Sequence, residues 1–137
     1  MADPLESSKA ALASFMEAWN RADLDAVRET LNYPHVTLGP QGQLFIAREP
    51  SEFQTDFARM REHEGWDHST FDDYTWTAES PDKVHCEVIF RRFRADGTCY
   101  GSGRVLYAVT SHGGHWGMQL RSGMPDASLL HATRAPS

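Results

Sequence analysis

From Lys83 to Ser122 the chain reads as three apolar-rich strand runs, the first alternating apolar with polar residues, separated by two glycine-containing turns. Few folds accommodate such a stretch. Val84, Cys86, Val88 and Phe90 fall on one side of the first run, with His85, Glu87 and Arg91 on the other. Successive side chains of a strand point to opposite faces, so the pattern predicts a half-buried strand over 84–93. Asp96-Gly97 suits a type I′ hairpin turn, which needs positive φ at its central positions. Val105, Tyr107 and Val109 carry the apolar side through a second strand over about 104–110. Gly113-Gly114 turns the chain again. A third strand follows with Trp116, Met118 and Leu120 on one side and Gln119 and Arg121 on the other. A two-residue turn at Asp96-Gly97 sets Val88 opposite Val105 and Cys86 opposite Tyr107. Val88, Phe90, Val105, Trp116 and Met118 are therefore expected on one buried face.

The N-terminal half reads as helical. Asp3 suits an N-cap, with Pro4 at the first helical position and Glu6 three residues after the cap. Leu5, Leu12, Phe15, Met16 and Trp19 follow at helical spacing and form a core stripe. Asp23 caps a short second helix with Leu24, Val27 and Leu31 inward, and Tyr33-Pro34 is expected to end it. His35 to Leu38 and Gln43 to Ala47 read as short strands around a turn at Gly39-Pro40-Gln41-Gly42. Ser51 with Gln54 forms a capping box for a third helix, with Phe53, Phe57 and Met60 inward and Gly65 as its stop. A threonine- and aromatic-rich strand over 68–78 completes the order. Helices segregated before strands predict an α+β domain built on one curved, mainly antiparallel sheet. The domain is expected over 1–125, with a mobile tail over 126–137 in which Leu129 and Leu130 are available for docking.

At 137 residues the chain makes one domain with a sizeable core. Its formal charge of −6 argues against non-specific nucleic-acid binding. Arg91, Arg92 and Arg94 read as a solvated strand end. No apolar run approaches the roughly 20 residues of a membrane span, and Met1-Ala2-Asp3-Pro4 lacks a secretion-signal pattern. Cys86 and Cys99 are too few for a disulfide framework, so a cytoplasmic location is expected. The histidines show no metal-ligand spacing, and there is neither a phosphate loop nor a nucleophile elbow. Neither a metal nor a cofactor is expected.

The stretch Phe15-Met16-Glu17-Ala18-Trp19-Asn20-Arg21-Ala22-Asp23-Leu24-Asp25 resembles the first helix and helix break of the nuclear transport factor 2-like superfamily. That group includes ketosteroid isomerases, polyketide cyclases, scytalone dehydratase and limonene epoxide hydrolase. Phe90, Arg92, Ala95-Asp96-Gly97 and the run Trp116 to Ser122 resemble a bacterial branch of it. The resemblance implies a cone: helices close over the concave face of the sheet and leave a pocket. It also implies a homodimer through the outer sheet face, where Glu87, Arg91 and Gln119 are expected.

The proton-transfer residues of ketosteroid isomerases are missing, since Phe15, Gly39 and Val105 or Leu106 stand at those places. The dehydratase and hydrolase chemistry of the superfamily points instead to His35, Tyr33, Asp72 or Asp73, Tyr107 and Arg92. A ligand pocket is expected between Phe15, Trp19 and Phe57 from the helices, His35, and Cys86, Tyr107 and Trp116 from the sheet. Such a lining suits a small, largely apolar organic molecule. Two alternatives stand beside simple binding. One is a cofactor-independent lyase, isomerase or hydrolase with His35 as proton carrier, partnered by a carboxylate such as Asp73, and Tyr107 as oxyanion donor. The other is a protein-interaction module using the outer sheet face.

Overall fold

The computed structural model describes residues 3–124. The expected tail over 126–137, with Leu129 and Leu130, lies outside the described residues. Helix α1 spans Pro4–Asn20, and Asp3 caps it by accepting from the Leu5 amide at 2.9 Å. Helix α2 is Leu24–Glu29, capped by Asp23 through the Ala26 amide at 3.1 Å. Strands β1 (Leu31–Leu38) and β2 (Leu44–Ala47) follow, then a 3-10 turn at Pro50–Glu52. Helix α3, Phe57–Arg59, runs on into a π turn at Met60–Glu64. Four long strands complete the chain: β3 (Trp66–Ser80), β4 (Lys83–Arg94), β5 (Cys99–His112) and β6 (His115–Gly123). All six strands form one sheet in the order β2-β1-β6-β5-β4-β3. Only the β1–β6 pair is parallel. The architecture is the expected α+β cone. No helix among the described residues is long and apolar enough to cross a membrane.

Helix α1 packs on the inner face of the sheet. Leu12 shares there one core cluster with Cys86, Val88, Val105, Val109 and Met118, all fully buried, which form the floor. The β4–β5 register pairs Cys86 with Tyr107 and Val88 with Val105, as the alternation requires. The hairpin reaches that register by another route than a two-residue turn. The Arg94 amide donates to Thr98 O at 2.9 Å, leaving three residues in the loop, with Gly97 at φ 89°. An irregularity between Arg92/Gly101 and Phe93/Cys99 absorbs the difference at Tyr100.

Strand β1 enters the sheet where β6 has no side chain. A Cβ at Gly117 would stand 2.8 Å from the carbonyl carbon of Leu31, 2.9 Å from Thr30 O and 3.0 Å from the Asn32 nitrogen. Glycine lets the two backbones approach, and the Met118 amide donates to Thr30 O at 3.1 Å. Asn32 is buried beside this crossing. Its Nδ2 donates to the carbonyls of Thr110 at 2.8 Å and His115 at 3.0 Å, while its Oδ1 accepts from His115 Nδ1 at 2.7 Å.

Four expectations need correction. Tyr33-Pro34 does not end α2; the helix stops at Glu29, and both residues lie within β1. The third helix does not start at Ser51. Arg28 Nε and Nη2 hold the Phe53 carbonyl at 3.1 and 2.9 Å, so that oxygen is not free for a helical bond. Asp56 becomes the cap instead, accepting from the Arg59 amide at 2.9 Å. Phe90 and Trp116 are only partly buried, unlike Val88, Val105 and Met118. Finally, Arg121 does not lie on the outer face. The β5–β6 register runs Tyr107 to Arg121 and Ala108 to Leu120, then Val109 to Met118. Gln119 is the extra residue of a β-bulge, so facing reverses beyond it. Its amide braces the bulge, accepting from Thr110 Oγ1 at 2.9 Å and donating to Pro34 O at 3.2 Å.

Candidate functional site

Beyond the sealed floor, helix and sheet part around a cavity of about 630 Å³. Phe15, Met16 and Trp19 of α1 form one wall, spaced so that they share one helix face. Phe71, Phe90 and Tyr107 form the facing sheet wall. The aromatic rings make a continuous band: Phe15 stacks on Trp19 at 5.6 Å and on Phe71 at 5.9 Å, and Phe71 meets Tyr107 edge-on at 5.6 Å. Leu44, Phe45 and Ile46 of β2, all more than half exposed, line the cavity at the sheet edge.

His35 and Tyr107 both line this cavity, together with Arg121. Arg121 pairs with Tyr107 across β5–β6 and with Thr37 across β1–β6, so it lies between the strands that carry them. Strand β1 leaves regular register between Leu31 and Val36, and the His35 ring fills the gap: Nδ1 lies 3.0 Å from Met118 O. A carbonyl only accepts, so Nδ1 carries the proton and Nε2 keeps its lone pair. Burial holds the His35 imidazole below its ordinary value of 6.5; the Met118 bond opposes this and the Arg121 charge adds to it. Burial raises the Tyr107 phenol, partly offset by the neighbouring Arg121 guanidinium.

Three expected lining residues lie elsewhere. Phe57 stands behind Trp19, edge-on at 4.9 Å, because α3 starts late; Phe53 takes its place in the wall, 5.7 Å from the His35 ring. Cys86 is sealed into the floor, where burial pushes its thiol up to about 12. Trp116 borders a separate groove on the other side of α1, with Ala10, Ala11 and Ser14. No carboxylate is hydrogen bonded to His35 among the described residues, and neither Asp72 nor Asp73 lines the cavity. Asp72 and Asp73 are held by Arg91 at 2.8 and 3.5 Å, and Asp73, at φ 53°, sits in a β3 irregularity. Tyr33 donates to Arg28 O at 2.8 Å and does not line the cavity. The sequence does not single out Arg121, Phe53 or Phe71 for this site, although Phe53 falls on the inward side expected of the third helix and Phe71 in an aromatic-rich strand.

The His35 environment has a pH consequence. Its folded value is depressed, so below about 6.5 the unfolded chain takes up a proton that the folded chain refuses. Stability contributed this way is complete above that pH and falls as pH drops toward the folded value. The urea midpoint of the wild type is expected to fall more between pH 7.5 and pH 5 than that of His35→Gln. Equal losses would refute the assignment.

Solved structures share this fold at low identity. Aln2 from a Streptomyces species is 15% identical with a TM-score of 0.72, over 96% of this chain and 98% of that one. A Nostoc punctiforme protein of unknown function with a cystatin-like fold is 18% identical with a TM-score of 0.68, over 88% and 89%. A Catenulispora acidiphila protein in complex with S-DNPA is 18% identical with a TM-score of 0.65, over 93% and 97%. No curated protein matches the chain significantly. The family described as NTF2-like protein (DUF6841) matches residues 6–119, from α1 into β6, and the chain belongs to that family.

Proposed function

We propose that this protein binds a small, largely apolar organic molecule inside its cone. The observation that carries the reading is the aromatic-walled cavity of about 630 Å³, within the range of small-molecule sites, with a few polar groups converging on it. The exposed apolar residues at its β2 edge give an apolar molecule a path inward. The Catenulispora neighbour, solved with a small molecule, lends support by fold alone. Binding is favoured over turnover because His35 has no carboxylate hydrogen bonded to it among the described residues, which leaves a general base without an orienting partner.

The test is a titration with N-phenyl-1-naphthylamine, a neutral dye that brightens in apolar sites. Saturable binding of one dye per chain is expected for the wild type. Thr37→Trp, which fills the cavity from β1, is expected to abolish it. Absence of saturable binding, or binding that survives Thr37→Trp, would sink the reading.

A further inference from the structure

The cavity wall carries a charge that its own residues leave uncompensated. Arg121 is half-buried in that wall and forms no ion pair among the described residues. Its guanidinium lies 5.7 Å from the Phe90 ring centre, and Arg92, also in the wall, lies 5.5 Å from the same ring. Arg92 has only a 3.5 Å contact to Glu64, whose Oε1 also accepts from the Tyr100 hydroxyl at 2.8 Å. Glu52 is the one carboxylate lining the cavity among the described residues. It is exposed, and its Oε1 is taken by the Arg48 amide at 2.9 Å. In a chain of formal charge −6, the cavity lining is thus biased to the positive side.

Arginine presents a planar fork that matches a carboxylate, and its attraction gains strength away from bulk water. The surrounding aromatic band suits a flat body. Resting on the binding reading above, we propose that the occupant is an aromatic carboxylate, its ring among Phe15, Phe71 and Phe90 and its anionic group on Arg121, with Arg92 beside the same Phe90 ring. The buried Tyr107 hydroxyl beside Arg121 offers the same anion a neutral donor. The proposal accounts for what the binding reading leaves open: why a bulged strand turns a second arginine into a largely apolar pocket.

The experiment compares 1-naphthoate with 1-naphthamide, equal in shape and different in charge, by calorimetric titration of the wild-type protein and of Arg121→Met. The wild type is expected to favour the naphthoate by about tenfold or more, the scale of a charge-assisted hydrogen bond. Arg121→Met is expected to erase that preference while keeping naphthamide affinity. Equal affinity for both probes in the wild type, with the neutral dye still bound, overturns the anion assignment and leaves the binding reading intact. Loss of the dye together with both probes overturns both. A preference that survives in Arg121→Met assigns the anion elsewhere and refutes the proposal. The wild-type comparison stands even if that variant fails to fold, and Arg121→Gln repeats the test with a polar, neutral side chain.

Discussion

Leu12→Ala is expected to lower the unfolding free energy by about 3–5 kcal/mol, read from urea denaturation with an unchanged slope. Leu12 is fully buried between α1 and the sheet floor, so its removal takes away packing on the helix's inward side. The neighbours cannot close in easily. Val88, Val105 and Val109 are β-branched and fixed on a paired sheet, so much of the vacated volume persists as cavity. Phe90→Ala sets the contrast. That ring borders an existing void and is partly exposed, so its loss enlarges an open space and costs less than Leu12→Ala. A Leu12→Ala loss under about 1 kcal/mol would mean that α1 does not seal the sheet as described.

Gly117→Ala is expected to cost about 2–3 kcal/mol, a large penalty for one methyl group. Each of the three atoms that the new Cβ would meet belongs to the backbone of Thr30, Leu31 or Asn32, so no side chain can swing aside. Relief requires β1 to move off β6. That movement loosens the 3.1 Å bond from Met118 N to Thr30 O and the Asn32 bonds to Thr110 and His115. Amide hydrogen exchange should therefore accelerate at Met118 before it does so in the β4–β5 pair. Unchanged stability would show that β1 and β6 are not in close contact at this point.

The sequence was most legible where alternation was unbroken. Val84, Cys86 and Val88 alternate with His85 and Glu87, and the pairings of Cys86 with Tyr107 and Val88 with Val105 follow once Val105, Tyr107 and Val109 are set on the matching face. Legibility failed where a single contact or an extra residue overrode a local signal. Ser51 and Gln54 have the spacing of a capping box, but Arg28, distant in sequence, claims the Phe53 carbonyl. Phe53 instead of Phe57 then reaches the cavity. Asp73 has the chemistry of a partner for His35, but its positive φ and its contact with Arg91 place it elsewhere. The inward facing of Arg121 is the least legible feature, because Trp116, Met118 and Leu120 alternate so evenly that nothing local announces a bulge.

That bulge also governs how this pocket must be compared with others. Strand β6 is two half-strands out of phase, with Gln119 as the residue that shifts the count. A homologue with one residue fewer between Met118 and Arg121 would need no bulge, yet would present the same two side chains inward. One of equal length with a regular strand would turn a leucine inward where this chain places its arginine. Pocket residues of related cones should therefore be matched by cross-strand partner, starting from Tyr107, and gaps at 119 treated as neutral insertions in the wall.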